Sequence, residues 1–212
     1  MTNQSGWAMG RLGWPGLGIL LLLLAGCSSS PPAQERWFRL GDPPTVTPLA
    51  RPLLSESVEL VSFTAQGLLA GEQSLLYRDM ASPHEVRRYA LWRWVDPPAK
   101  LVRSILLRNL QQLGIFRQLV ERRQQIHSNY LLTGDLWALE QRLQGKETVV
   151  ALEVELTLVN RESQEVRFNQ HYRLEERAEG AEISAAMDAF DRMLARWCQE
   201  VNRDMTQALI RR

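Results

Sequence analysis

The sequence predicts an α+β fold: a mostly antiparallel sheet with two helices packed on one face, preceded by a lipidated Pro-rich tether. Three observations predict it. Apolar residues alternate with period two through several segments, most clearly from Glu147 to Asn160. Two other segments carry apolar residues at steps of three and four, which is the spacing of a helix stripe. The N-terminal region is a leucine-rich run that ends on a cysteine, followed by a stretch rich in proline.

That cysteine defines the first segment. Leu24-Ala25-Gly26-Cys27 closes the apolar run Leu17-Gly18-Ile19-Leu20-Leu21-Leu22-Leu23. Small residues before a cysteine at the end of a signal peptide form a lipobox. The run is too short to span a bilayer, which takes about 20 apolar residues. Residues 1–26 are therefore expected to be a cleaved signal peptide. Cys27 then becomes the mature N-terminus, with diacylglycerol on its thiol and an acyl chain such as palmitate on its amine. No other cofactor is expected. Each buried methylene contributes roughly 0.8 kcal/mol, so several chains on one residue hold stably to a membrane. The next residues are Ser28-Ser29-Ser30, with no aspartate after the cysteine. This favours the outer membrane, with the protein lipid-anchored and facing the periplasm.

Residues 27–52 read as the lipidated tether. Prolines at 31, 32, 43, 44, 48 and 52 favour extended polyproline conformations. Between Cys27 and Trp37 such a chain spans on the order of 30 Å. Trp37-Phe38-Arg39-Leu40 is an apolar island within it, an early strand or a plug.

Residues 53–212 read as the domain. Ser57 to Phe63 predicts a strand with Val58, Leu60 and Ser62 on one side and Glu59, Val61 and Phe63 on the other. A two-glycine loop at Gln66 to Gly71 leads to a second strand at Ser74 to Arg78. A third spans Glu85 to Val95. Asp96-Pro97-Pro98 announces a helix, with Asp96 as N-cap and proline in the first turn. Its stripe is Leu101, Val102, Ile105, Leu106, Leu110 and Leu113, and Gly114 ends it. Ile115 to Val120 is a short strand. Tyr130 to Gln144 and Glu147 to Asn160 are long ones, turning at Gly145-Lys146. In the second, Val150, Leu152, Val154, Leu156 and Leu158 face one side, and Glu153, Glu155 and Thr157 the other. Glu165 to Glu175 follows, with Val166, Phe168, Tyr172 and Leu174 inward. Ala181 to Leu209 is the last helix, on the stripe Ile183, Met187, Phe190, Leu194, Trp197, Val201 and Met205.

The charge balance excludes one class of function. The precursor has 25 basic and 24 acidic residues, and Arg11 leaves with the signal peptide. A chain without net charge lacks the field that neutralises phosphates, so no nucleic-acid partner is expected. Of two cysteines, Cys27 is committed to lipid and Cys198 sits in the final helix stripe as a core residue, so no internal disulfide forms. His84, His127 and His171 show no metal-ligand spacing, and no G-x-S-x-G elbow or phosphate-binding glycine loop is present. Asp135 lies mid-strand and is expected to face outward, as are Glu153 and Glu155. Met187, Trp197 and Met205 read as core rather than as a ligand row. No catalytic residue and no metal site are expected, and the protein does not read as an enzyme. Of the aromatics on the third strand, Trp94 is expected to seal the first helix against the sheet. Trp92 is the candidate partner-interface residue, because large aromatics are enriched where partners dock.

Together these parts resemble the ABC-type transport auxiliary lipoprotein family, of the paraquat-inducible protein C-like, DUF330 type. The resemblance rests on the lipobox at Leu24 to Cys27, Trp37-Phe38-Arg39-Leu40 and Leu75-Leu76-Tyr77-Arg78. It continues through Tyr89-Ala90-Leu91-Trp92-Arg93-Trp94-Val95-Asp96-Pro97-Pro98, Leu113-Gly114-Ile115-Phe116 and the C-terminal helix. It implies a non-catalytic outer-membrane component of an MCE/ABC-type intermembrane transport system. Its partner would be the periplasm-spanning MCE-domain protein of an inner-membrane transporter, and its cargo lipids or other hydrophobic molecules, in support of membrane integrity. A homo-oligomer would let such a cap match an oligomeric tube. The alternatives are a lipoprotein assembly factor for an outer-membrane β-barrel complex and an anchored hydrolase using His84, His127, His171 or Asp135.

Overall fold

The computed structural model describes residues 33–121, 127–180 and 182–211. Its compact body runs from Glu35 to the C-terminus. The chain from Glu35 to Pro52 is therefore laid on the body rather than hanging free as tether.

The strands are β1 (Arg36–Phe38), β2 (Leu54–Leu60), β3 (Thr64–Ala65), β4 (Ser74–Asp79) and β5 (Val86–Trp94), with a 3-10 turn at Gly67–Leu69. The first helix, α1 (Pro98–Leu113), precedes β6 (Phe116–Glu121), β7 (Tyr130–Gln144), β8 (Glu147–Asn160) and β9 (Val166–Arg177), and α2 (Ile183–Ile210) closes the chain.

The expected mostly antiparallel sheet is not what forms. Among the described residues nine strands make one mixed, curled sheet in which five of eight strand pairings are parallel. Long β7 explains this. Along one edge it pairs antiparallel with β8, which pairs antiparallel with β9. Along its other edge it takes β2, β3 and β4 in turn, all parallel, at Tyr130–Leu132, Asp135–Leu136 and Glu140–Leu143. Beyond β2 lies β6, and beyond β4 lie β5 and β1, so that side divides into two wings. The expected hairpins at β7–β8 and β8–β9 are real. The parallel crossovers are invisible to local alternation, because strand polarity is set by which edge is met and not by the pattern of one strand.

The helices cover the apolar face of the sheet. The inward phase of β8, from Val150 to Leu158, is fully buried, and Tyr172 of β9 meets Trp197 of α2 edge-on at 6.5 Å. Trp94 meets Phe190 of α2 edge-on at 5.4 Å and so seals β5 to α2, the helix across from it, rather than to α1 alone. The helices are tied by an amide pair, buried Asn109 donating through Nδ2 to half-buried Asn202 Oδ1 at 2.6 Å. Pro97 and not Asp96 is the N-cap of α1. Pro98 occupies the first helical turn, and Asp96 instead pairs with Lys100 at 2.6 Å. Gly114 ends the helix as expected, with φ 67° and its N–H on Leu110 O at 3.1 Å.

Two one-residue bulges change the predicted faces. In β7, Leu136 pairs with Val154 but Ala138 pairs with Glu153, leaving Trp137 unpaired and exposed. In β9 the shift between Phe168 and Val166 turns Val166 outward, against the inward position its alternation predicts. An extra residue moves everything beyond it to the opposite face.

Candidate functional site

Leu24, Ala25, Gly26 and Cys27 lie outside the described residues. The remaining candidates fall in the body, and the structure does not bring them together. Asp135 accepts the hydroxyl of Thr64 on neighbouring β3. His171 contacts Glu153 at 2.9 Å on the open sheet face, and Arg173 donates to the same carboxylate at 2.9 Å. His127 accepts Ser57 Oγ through its backbone oxygen. His84 lies in the turn between β4 and β5. Among the described residues no group of three or more His, Cys, Asp or Glu is placed to hold a metal. Cys198 is buried, and burial pushes its thiol up to about 12, which leaves it a protonated core group. Met187 is half-buried, while Trp197 and Met205 are fully buried, so the row is core.

Trp92 is half-buried. It packs on Tyr89 with ring centroids 4.1 Å apart, and Tyr89 packs on Tyr77 at 4.5 Å. The register between β4 and β5 is irregular from Ser74 to Leu76, and this lets residues three apart on β5 stack. Tyr89 donates to Gln141 Oε1 at 2.6 Å, and burial pushes its phenol up to about 12. Trp92 is thus the outer end of an aromatic stack rooted in the body.

A larger apolar surface lies on the open face. Trp137 is 48% exposed, Leu68 43% and Val86 37%. The three line one cleft of 210 Å³ with Leu69 and Leu76, and the ion pair between Arg78 and Glu140, at 2.7 Å, also borders it. Three elements build it. The β7 bulge turns Trp137 out, the 3-10 turn lifts Leu68 over the sheet, and Val86 begins β5 opposite Arg78. Sequence reading missed it. One signal was present, since the aliphatic positions of β7 run Leu132 and Leu136 and then resume out of step at Leu139. A switch of phase within an unbroken strand is the mark of a bulge. A wider cleft of 630 Å³ lies between the β3 region and the start of α1, lined by Phe63, Leu69, Ala99, Lys100 and Arg103 among others. Both its cations are engaged: Arg103 donates to Leu60 O at 2.8 Å, Val61 O at 2.9 Å and Glu121 at 2.7 Å, and Lys100 pairs with Asp96 at 2.6 Å.

Among the described residues the site is therefore a surface of exposed aromatic and aliphatic side chains on the sheet, and no His, Cys, Asp and Glu cluster accompanies it. The family model for the ABC-type transport auxiliary lipoprotein component matches residues 40–202. The chain belongs to this family. The match takes in β2 to β9, α1 and most of α2 of the auxiliary lipoprotein, and the family is one of transport auxiliaries rather than of enzymes. Its name associates it with ABC transporters. The structure of the Xanthomonas campestris protein XCC0632, a DUF330 protein, superposes with a TM-score of 0.68 at 18% identity, covering 84% of this chain and 95% of that one. An uncharacterised protein superposes at 0.61 with 16% identity, covering 82% of this chain and 99% of the other. The Chlamydia trachomatis protein CT253 reaches 0.50 at 6% identity, covering 73% and 98%. At these identities the likeness is one of fold. No curated protein is significantly similar to the chain.

Proposed function

We propose that this auxiliary lipoprotein is held to the outer membrane through lipid on Cys27 and docks the MCE-domain protein of an ABC-type transporter, assisting passage of lipids or other hydrophobic molecules. The observation that carries the reading is the family match over residues 40–202, joined to a lipobox at Leu24 to Cys27. The body suits a docking role. It is a rigid sheet with an aromatic cleft at Trp137 and a second aromatic face at Trp92. Exposed aromatics on rigid elements are what protein interfaces use as anchors. Among the described residues no helix is long and apolar enough to cross a membrane, and in this reading attachment is through lipid on Cys27. A homo-oligomer belongs to the proposal, because a cap on an oligomeric tube takes the symmetry of the tube.

Crosslinking the tagged protein in its native membranes, followed by detergent pull-down and mass spectrometry, tests the partner. Recovery of an MCE-domain protein supports the proposal. Recovery of an outer-membrane β-barrel alone replaces it with the assembly-factor role. Anchoring is tested with Cys27→Ala, which should move the protein from the membrane fraction to the soluble periplasm while its circular dichroism stays unchanged. A variant that remains in the membrane fraction refutes the lipid anchor.

A further inference from the structure

We infer that residues 35–53 form a clamp that fixes the length of the N-terminal leash, gripping the chain at Glu35 and withholding the proline-rich stretch behind it. The inference rests on the lipid-anchor reading only for what pulls on the clamp; its geometry stands without it.

The grip is made at successive points along the chain. Glu35 pairs with Arg93 at 2.7 Å, and β1 pairs parallel with β5 from Arg36–Trp92 to Phe38–Trp94. Val95 N–H donates to Phe38 O at 2.9 Å. Leu40 is buried in the core. Gly41 N–H donates to Asp191 Oδ1 of α2 at 2.7 Å, and Asp42 pairs with Arg108 of α1. Val46, Leu49 and Leu53 pack on the core. Leu49 N–H donates to Leu113 O and Leu53 N–H to Ile115 O, each at 2.9 Å. One segment is thus fastened to β5, to α2, to α1 and to the turn before β6.

Gly41 and Asp191 form the central pin. A Cβ on Gly41 would stand 2.8 Å from the Asp191 carboxylate, so a larger residue there would push that side chain away from the Gly41 N–H. Burial pushes the Asp191 carboxyl above its ordinary range, and Asp188 and Asp42 push the same way, while the Gly41 N–H opposes them. An acid held against its own burial and two like charges needs a structural reason, and the Gly41 N–H supplies one. Pro43, Pro44, Pro48 and Pro52 have no N–H to satisfy and stiffen the intervals between fastenings.

The geometry suits load from the N-terminus. Bonds between parallel strands run slanted across the strand direction, so tension along β1 would load its short ladder with β5 as a unit. With the clamp closed, the seven residues from Ser28 to Gln34 reach at most about 24 Å from Cys27. With it open to Leu53, the reach grows to roughly 90 Å. The clamp therefore sets how far the body stands from the lipid.

Hydrogen exchange with mass spectrometry on the full-length protein as isolated tests this. Asp191→Ala and Gly41→Ala should each speed exchange across residues 40–53 at least tenfold, with the β7–β8 hairpin unchanged. Asp191→Asn keeps an acceptor for the Gly41 N–H and should leave the segment as protected as in the parent. Unchanged exchange at residues 40–53 in both Asp191→Ala and Gly41→Ala overturns the clamp. So does acceleration that spreads equally into α2 and β8, which would make Asp191 a residue of general stability. Membrane attachment is read separately by fractionation, so loss of the anchor reading and loss of the clamp give different results.

Discussion

The two edges of β7 are built by opposite rules. On one edge β8 and β9 follow in sequence, turn back through short connections, and pair over almost their whole lengths. On the other edge β2, β3 and β4 arrive from more than sixty residues upstream and pair in short parallel stretches of two to four residues. The first edge is local, so its strands and faces are written in adjacent residues and in the turn at Gly145, whose φ is 64°. The second is assembled only when distant side chains meet, and it carries the 3-10 turn, the aromatic stack and the clamp, while the Trp137 bulge is the one break in the local β7–β8 ladder. A protein that must be rigid and also present a surface can divide the tasks between two edges of one strand.

The largest expected effect tests whether the edges unfold together. Trp197 anchors α2 on the β8–β9 side and Trp94 anchors the β4–β5 wing, and both are fully buried with indole N–H groups that have no acceptor among the described residues. Their value is therefore packing. Trp197→Ala should cost about 3–5 kcal/mol in urea unfolding followed by circular dichroism. Trp94→Ala should cost a similar amount if the domain is one cooperative unit. If instead the wing opens by itself, Trp94→Ala will accelerate exchange in β1, β4 and β5 while α2 and β8 stay protected. That result would convert the structural contrast between the edges into a thermodynamic one.

This contrast also explains what could be read from the sequence. The β7–β8 hairpin and its turn, the inward row Val150 to Leu158 and the stripes of both helices are legible because each is a local period against one buried face. The strand directions on the far edge are not legible. Val58 and Leu60 alternate as they would in either polarity, and the choice is made by Leu132 and its neighbours seventy residues away. The Pro-rich stretch to Pro52 has a composition suited to a free tether, yet Leu40, Val46, Leu49 and Leu53 are spaced between its prolines and bind it to the core. Trp92 was legible as an unusual aromatic. Trp137 was passed over because the only trace of its bulge is the single-residue change of phase between Leu136 and Leu139.

The junction between the edges gives a smaller effect. Gly134 faces Phe63, which follows β2, and a Cβ at Gly134 would stand 2.5 Å from the Phe63 ring. Phe63 is buried, so the ring cannot swing out without cost. Gly134→Ala should destabilise by about 1–3 kcal/mol, the range for overpacking a filled site. Phe63→Leu in the same chain should recover part of that loss. A double-mutant cycle measured by urea unfolding gives the coupling. Additive losses would mean that β2 and β3 do not press on β7 at this point, and the far edge would be more loosely joined than the contact implies.

The smallest effect on stability should come from the most exposed feature. Trp137 leaves the ladder at a bulge and is 48% exposed, so its truncation opens no sealed cavity. Trp137→Ser should shift the unfolding free energy by less than about 0.5 kcal/mol, as for substitutions away from packed sites. The same change removes the largest apolar group of the cleft shared with Leu68 and Val86. If this edge is the docking side, Trp137→Ser should sharply lower recovery of the crosslinked partner while leaving the melting curve in place. Trp92→Ser probes the aromatic stack on the other face, where loss of the Tyr89 contact should be felt in stability as well. Partner loss with Trp137→Ser alone assigns docking to the open face. Loss with Trp92→Ser alone assigns it to the stack, and the bulge then serves only to absorb the change of register where β7 passes from β3 to β4.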